Sequence, residues 1–471
     1  MNLKSILLEG ICEKTAILFI RDSIKGSEYE NHVFLAGGFV RDELLNIDPK
    51  DIDCVINLPN GGILFSIWLA KKYNIYKKGS NPVIFENFGT SKLSLGGIKY
   101  NGIDLSNIDV ECVMTRGEKY TPGSRKPEVN YDDLKTDVFR RDSTANSLLK
   151  NISTGEILDL TGRGMSDIRN GILRTPLDPD ITFSDDPLRM MRFVRQSSKY
   201  EWEISDDALE GIKRNASKLN NISKERIKDE LNKILVLKDP SHGIRLLKDT
   251  GLLPYIAPEL QQAVGMTQNV HHSEDVFNHT LTVLKGTKPE LVQRLMALFH
   301  DIGKVATRSE TPTGVHFYNH EDAGVEIVDR IMRELKYPTE LINAVKVGVA
   351  NHMRLKQGKD EANISDKALR KFKIELGDQL ENVLNLIHAD NIAHSDASAM
   401  PNQIDRVRAK LQALDVQVKK PNLPINGNDL IALGIKPGPV FSKILGAVTD
   451  AWYENPSITR EQALDIAKRM I

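Results

Sequence analysis

Residues 35 to 56 read LAGGFVRDELLNIDPKDIDCVI, and no other stretch of the chain limits its possible folds so tightly. A short apolar run meets the pair Gly37-Gly38, a helix-like segment follows, and the chain re-enters a β-branched run carrying Asp51 and Asp53. The pattern predicts strand, turn, helix, strand. Each part has a chemical use. Gly37 and Gly38 let backbone N–H groups approach a polyphosphate, the helix start favours anions, and Arg41 adds a phosphate-pairing cation. Two aspartates spaced by one residue on a strand project to the same side, roughly 6 to 7 Å apart along it. That spacing suits two magnesium ions, which together activate an attacking hydroxyl and stabilise a pyrophosphate leaving group. Taken alone, the same residues also fit a turn and a strand with a solvated acidic edge.

Neighbouring segments extend the pattern. Asp109-Val110-Glu111-Cys112-Val113 reads as a second acidic strand, with Glu111 as a third carboxylate for the metals. RRDSTANSL, from Arg140 to Leu148, places two guanidinium groups, a carboxylate and an amide within seven residues. SDDPLRMMRFVR sets Asp186 and Arg189 three apart at a helix start, on one face. A carboxylate there accepts from the exocyclic amino group of cytosine or adenine, while a guanidinium donates to the adjacent ring nitrogen. Guanine and uracil would set acceptor against acceptor and donor against donor.

These motifs, GGFVRD with DID, ECVMTR, RRDSTAN and SDDPLRMMR, occur in the order seen in class II tRNA nucleotidyltransferases (CCA-adding enzymes) and poly(A) polymerases, which the first 235 or so residues resemble. The resemblance implies that Asp51 and Asp53 hold catalytic magnesium, that Arg141 and Asp142 contact the nucleotide ribose, and that Asp186 and Arg189 read the base with help from Arg192. Asn146 also stands in place. The chain departs from the family pattern at Ser143 and Ala145, usually Phe and Ile, and at Asp185, usually Glu. SKERIKDEL, Ser223 to Leu231, resembles a neck motif and reads physically as a capped, ion-paired helix that supports the site.

The middle of the chain carries a second chemistry. His279, the pair His300-Asp301, His320, His352 and Asp390 bring imidazole and carboxylate together, a set suited to a divalent transition metal that lowers the pKa of bound water. A His-Asp pair in an apolar helix is costly to bury without a ligand. Lys304, one turn past Asp301, is placed to pair with a phosphate. The order H…HD…D is similar to the HD phosphohydrolase superfamily and maps onto His279, His300, Asp301 and Asp390, with His320 and His352 matching variants that hold two metals. The resemblance implies phosphatase and cyclic phosphodiesterase activities.

The expected fold class is α+β. A polymerase-β-like nucleotidyltransferase head (1–155) is followed by a mostly α-helical neck for base recognition (156–255), an HD domain (256–400) and a helical tail (401–471). Short β-branched runs with Gly and Asn turns fill residues 31 to 150, and helical spacing takes over from Asp185, with breaks near Gly251 to Pro258 and at Lys419 to Asp429. With 471 residues, 40% hydrophobic and 27% charged, the chain can form several cores and is too polar for a membrane protein. The N-terminal stretch breaks its apolar run with Glu9, Glu13 and Lys14, so a cytosolic protein is expected. Cys12, Cys54 and Cys112, without CxxC spacing, are expected to be buried small hydrophobes.

The net charge of −1 disfavours nonspecific coating of nucleic acid, so RNA contact must come from local patches. The tail, with ten Lys and Arg against seven Asp and Glu, fits either tRNA contact or an ordinary solvated surface. Its Gly-Pro-rich turn resembles the C-terminal segment of many CCA-adding enzymes. The expected partners are therefore tRNA, CTP and ATP, with poly(A) addition or partial CC- or A-addition as alternatives.

Overall fold

The computed structural model describes residues 3–119, 128–268, 274–312, 314–355, 364–394, 400–414 and 422–470. The chain divides into two compact units, residues 1–226 with 249–255, and residues 227–248 with 256–471. Of the break expected at Lys419 to Asp429, residues 419–421 lie outside the described residues.

In the first unit, α1 (Leu3–Ile24) precedes β1 (Val33–Ala36), α2 (Gly38–Leu44), β2 (Ile52–Ile56) and α3 (Gly61–Lys72). Next come β3 (Val83–Phe85), β4 (Thr90–Ser94), the hairpin β5 (Lys99–Tyr100) and β6 (Ile103–Asp104), β7 (Asp109–Met114), and the hairpin β8 (Arg116–Lys119) and β9 (Glu128–Tyr131). Helix α4 (Leu134–Phe139), β10 (Leu149–Asn151) and β11 (Ile157–Leu158) complete the head. Seven strands form one sheet in the order β11-β10-β1-β2-β7-β4-β3, and β2 with β7 is its one parallel pair.

Period-two burial explains how the sheet is clothed. Cys54, Val110, Cys112, Ser91 and Leu93 are buried beneath α3, where Ser91 Oγ reaches Gly62 O and Ser66 Oγ. A Cβ on Gly62 would stand 2.6 Å from Gly89 O and 2.7 Å from Cys112 O, so glycine is what lets α3 lie on the sheet backbone. On the other face Phe34, Ala36 and Val55 pack with Val138 of α4 and Leu149. Beyond that cluster the same face continues as Asp53, Glu111 and Lys92, register partners along adjacent strands. Gly37, with φ +64°, caps α2 in the left-handed region and turns the chain sharply off β1.

The rest of the first unit is mainly helical: α5 (Gly164–Asn170), α6 (Pro179–Asp185), α7 (Leu188–Tyr200), α8 (Asp206–Asn215) and the start of α9 (Lys224–Leu235), with short strands β12 (Ile172–Leu173) and β13 (Glu203–Ile204) paired in parallel. Helix α7 buries Met190, Met191, Phe193 and Val194, which leaves Arg192 on a half-open side.

The second unit holds α10 (Ser241–Asp249), α11 (Pro258–Gln262), α12 (Val276–Gly286), α13 (Leu291–Phe299) and α14 (Lys304–Thr307), then the hairpin β14 (Arg308–Thr311) and β15 (Gly314–Phe317). Helices α15 (His320–Glu334), α16 (Thr339–Asn351), α17 (Asp366–Leu376), α18 (Leu380–Ile392) and α19 (Gln403–Ala413) follow, and α20 (Gly427–Ala432), α21 (Pro439–Glu454) and α22 (Arg460–Arg469) end the chain. Leu369, Phe372, Leu384 and Ile387 lie in one core, and Leu430, Ile444, Val448 and Ala463 in another.

The expected α+β class, with a strand-containing head followed by a mostly helical body, is the observed one, and the head's sheet is mixed. All three cysteines are free; Cys54 and Cys112 are buried, whereas Cys12 is only partly so. Among the described residues no helix is long and apolar enough to cross a membrane.

Candidate active site and candidate metal centre

Strand β2 begins at Ile52, so Asp51 sits one residue ahead of the strand instead of on it. Asp53 is on the strand, and the register places it directly beside Glu111 of β7. Burial pushes the Asp53 carboxyl up to about 6, with the Glu111 and Asp51 charges adding, while Arg141 and Arg192 pull the other way. Asp53 with the Glu111 and Asp51 carboxylates near it forms an oxygen donor set that fits a divalent cation. Gly37 closes against this group: a Cβ there would lie 3.5 Å from Arg141 Nη1 and 4.0 Å from Asp53 Oδ2. Gly38 lies against the Arg41 guanidinium.

A buried network flanks the carboxylates. Asp137, fully enclosed, accepts from Arg140 Nη2 at 2.6 Å and from Arg141 Nη2 at 2.9 Å. Asp142 Oδ2 meets Arg192 Nη2 at 2.9 Å, and its Oδ1 accepts from Asn146 Nδ2 at 2.9 Å and from the Ser143 N–H at 2.8 Å. Burial opposes this charge, yet Arg192, the Asn146 amide and Arg189 hold the Asp142 carboxyl down to about 2. Arg41 is buried, donating to Asn146 Oδ1 at 2.5 Å and to Asp42, with its guanidinium 4.6 Å from the Tyr200 ring centre. Gln196 links the two halves, accepting from Asn146 Nδ2 at 3.1 Å and donating to Asp142 Oδ2 at 3.4 Å. Ser143 and Ala145, two of the three departures from the family pattern, are fully buried, and Ser143 Oγ has no hydrogen-bond partner among the described residues.

Asp186 and Arg189 lie one turn apart but bond elsewhere. Asp186 caps the C-terminus of α6, accepts from the Leu188 N–H at 3.2 Å and pairs with Arg226 Nη2 at 2.8 Å. Arg189 is buried, donating from Nη1 to Thr182 O at 3.0 Å and from Nη2 to Arg140 O at 2.7 Å. Arg192 pairs with Asp142. Sequence reasoning missed three members: Asp137, Gln196 and Arg226. A signal existed for two of them. Gln196 follows Arg189 and Arg192 at helical spacing on α7, and Arg226 lies in the SKERIKDEL segment.

In the second unit, six residues from five segments meet. His279 comes from α12, His300 and Asp301 from the end of α13, His320 from the start of α15, His352 from the end of α16 and Asp390 from α18. They form two buried groups of potential ligands, His279 with His300 and Asp390, and Asp301 with His320 and His352. Asp301 spans both: its Oδ2 lies 3.2 Å from His300 Nε2 and 3.7 Å from His279 Nε2, and its Oδ1 3.4 and 3.5 Å from His320 and His352 Nε2.

Backbone carbonyls orient three of the rings. Nδ1 of His300, His320 and His352 faces the carbonyl of Ala297, Phe317 and Val349 at 2.9, 2.9 and 2.7 Å. Only an N–H satisfies a carbonyl, so in the neutral ring each Nε2 turns its lone pair inward. His300 Nε2 is buried 3.2 Å from Asp301 Oδ2, and His320 and His352 set Nε2 against Nε2 at 3.2 Å. Inward lone pairs around a carboxylate fit a transition metal. Burial opposes ionisation of Asp301, but Lys304 and His300 hold its carboxyl well below the ordinary range, and burial pulls His352 down. Lys304 binds Asp301 Oδ2 at 2.6 Å and Gln268 Oε1 at 2.7 Å.

Three segments match known families. Residues 33–174 match the poly A polymerase head domain, 202–264 the probable RNA- and SrmB-binding site of polymerase A, and 319–465 tRNA nucleotidyltransferase domain 2. The CC-adding tRNA nucleotidyltransferase of Thermus thermophilus is 30% identical over 347 residues, covering 70% of this chain and 76% of that protein. The mitochondrial CCA tRNA nucleotidyltransferase of Saccharomyces cerevisiae is 34% identical over 228 residues, so the matched region spans 45% of this chain and only 40% of the yeast protein. In fold, the chain is similar to the Bacillus stearothermophilus CCA-adding enzyme in complex with CTP, with a TM-score of 0.65 at 20% identity over 97% of each chain.

Proposed function

This chain belongs to the tRNA nucleotidyltransferase family, and from that premise we propose that it adds CMP and AMP, drawn from CTP and ATP, to the 3′ end of tRNA. The observation that carries this proposal is the register of Asp53 beside Glu111, with Asp51 close by and Arg141 and Arg192 near enough to act on the Asp53 charge. Asp51, Asp53 and Glu111 would hold magnesium, which when bound activates the RNA 3′-hydroxyl and stabilises the departing pyrophosphate.

The surrounding residues position the nucleotide. Asp142, kept ionised by Arg192, accepts from a ribose hydroxyl, and Asn146 and Gln196 hold that carboxylate in place. Asp186 accepts from the exocyclic amino group of cytosine or adenine. Arg189 spends two donors on backbone carbonyls, which fixes its plane and leaves others for the base. Guanine and uracil would set acceptor against acceptor and donor against donor at this pair.

Incubating the protein with tRNA lacking its terminal CCA and each labelled nucleoside triphosphate, then sizing the product, tests the proposal. Three residues drawn from CTP and ATP support it. A long A-tract points to poly(A) addition, two C residues or one A to a partial enzyme, and no extension rejects nucleotide transfer.

A second activity is favoured by the bridging position of Asp301 between the two ligand groups. We read the second unit as an HD-type phosphohydrolase acting on phosphomonoesters and 2′,3′-cyclic phosphates, in which His279, His300, Asp301, His320, His352 and Asp390 would hold the metal. A bound metal supplies a hydroxide nucleophile near neutral pH. Asp301→Ala should abolish metal-dependent phosphoesterase activity and spare nucleotide addition; a fully active Asp301→Ala esterase removes the assignment.

A further inference from the structure

The carboxylate face of the head sheet does not end at Glu111. Register carries one row from Asp53 through Glu111 of β7 and Lys92 of β4 to Val83 of β3, and the next from Val113 through Thr90 to Phe85. Partners in one row project to the same side, and the two steps from β7 to β3 cover about 10 Å. Strand β3 is the sheet's edge, and its three side chains are all open to solvent, Val83 at 41%, Ile84 at 37% and Phe85 at 47%. Edge strands are ordinarily blunted by charge or cover, and this one has exposed apolar residues instead. Val83 is thus level with Asp53 and Glu111, and Phe85 lies one row further along the same face.

We infer that this open strip, from Glu111 across Lys92 to Val83 and Phe85, receives the single-stranded 3′ end of the acceptor RNA, an inference that rests on the nucleotidyltransferase proposal. Its continuity with the carboxylates decides the occupant, because the attacking 3′-hydroxyl must arrive at Asp51, Asp53 and Glu111. Lys92 supplies the charge match. Its ammonium pairs with Asp109 at 2.9 Å, both side chains about half exposed. Such a pair is weakly held, and three ammonium donors let Lys92 keep Asp109 while taking an RNA phosphate. The Phe85 ring and the Val83 side chain offer a surface on which a nucleobase packs irrespective of sequence, the usual pairing of cation and aromatic in single-strand binding.

The test measures binding of tRNA lacking CCA to the full-length protein by fluorescence anisotropy, in EDTA and without nucleotide. Phe85→Ala should weaken binding about tenfold. Lys92→Met should lower the slope of log affinity against log salt by about 0.7, the share of one single-strand phosphate contact. Lys92→Arg and Phe85→Tyr should bind nearly as the wild type does, and the KM for CTP should stay unchanged in all four while the KM for tRNA follows the affinities. Unchanged affinity and slope in Lys92→Met and Phe85→Ala overturn the inference. So does a change in sedimentation without a change in RNA affinity, which would assign the edge to a second copy of the chain. If the wild type cannot extend tRNA, the nucleotidyltransferase proposal falls and this inference with it; extension by a wild type whose RNA affinity the variants share removes the docking strip alone.

Discussion

Asp53 and Glu111 are register partners on the parallel pair β2 and β7, so their carboxylates leave the sheet side by side. Burial and this neighbour place Asp53 at about 6 against an ordinary 3.8. A carboxyl raised on folding favours the native state below its unfolded pKa, and that advantage is lost as pH rises through the folded value. Metal-free protein should therefore lose stability between about pH 4 and pH 6, by on the order of 2 kcal/mol after solvent screening. Asp53→Asn should be flat across that window, and magnesium should restore the wild type while leaving the variant unmoved. Urea unfolding at pH 4.5 and 7.5, with and without magnesium, checks this, and nucleotide incorporation by Asp53→Asn should drop at least a thousandfold.

Asp142 shifts in the opposite direction. Held at about 2 by Arg192 and its hydrogen bonds against the cost of burial, it contributes stability present above 3.8 and lost as pH falls through 2. That contribution is about 2 kcal/mol. Asp142→Asn keeps the volume but leaves Arg192 without its partner, so the acid limb of the unfolding profile should flatten and kcat/KM for CTP should fall by at least tenfold. An unchanged acid limb would remove the Asp142–Arg192 pair from the account.

Arg226 anchors Asp186 at 2.8 Å from outside the motif that carries Asp186. Its own side chain is half exposed, so Arg226→Ala should cost under about 1 kcal/mol of stability. Freed of its anchor, the Asp186 carboxylate should discriminate less well, and misincorporation of UMP and GMP should rise several-fold at nearly normal tRNA affinity. Single-nucleotide competition assays give the ratio directly.

Gly303 has no room for a side chain: a Cβ would stand 1.9 Å from His320 O and 2.5 Å from the Gly324 nitrogen. Gly303→Ala should push α15 away and take His320 from its group, costing about 3 kcal/mol. Transition-metal content measured by inductively coupled plasma spectrometry should fall, and metal should no longer raise the melting temperature. Nucleotide addition should persist. A metal content equal to wild type would show that His320 is not needed to hold the ion.

Much of the candidate site can be read from residue type and short spacing. GG, DID and the acidic strand around Glu111 announce carboxylates on strands, because two-residue periodicity is local chemistry. The histidines announce a metal because buried imidazole beside carboxylate has few other uses. Gln196 escaped notice because a glutamine on an amphipathic helix is ordinarily unremarkable, and its meaning depends on Asn146 and Asp142 arriving opposite it. Asp137 escaped for the same reason. Asp51, placed on the strand by spacing, falls just outside it, since strand ends are set by where the ladder starts pairing and not by composition.

The sequence by itself determined which residue types this protein holds in which order, the α+β class with its helical body, and the carboxylates and histidines that are its candidate metal ligands, all of them consequences of periodicity and side-chain chemistry within a few residues. Tertiary structure decided the partners: Glu111 beside Asp53, Arg192 on Asp142, Arg226 on Asp186, and Asp301 facing His300 with one oxygen and His352 with the other. Those pairings follow from sheet register and helix packing, which are set by burying Val55, Cys112, Phe193 and their neighbours throughout each unit. No local window of the chain contains that information, because a register is chosen by the core as a whole.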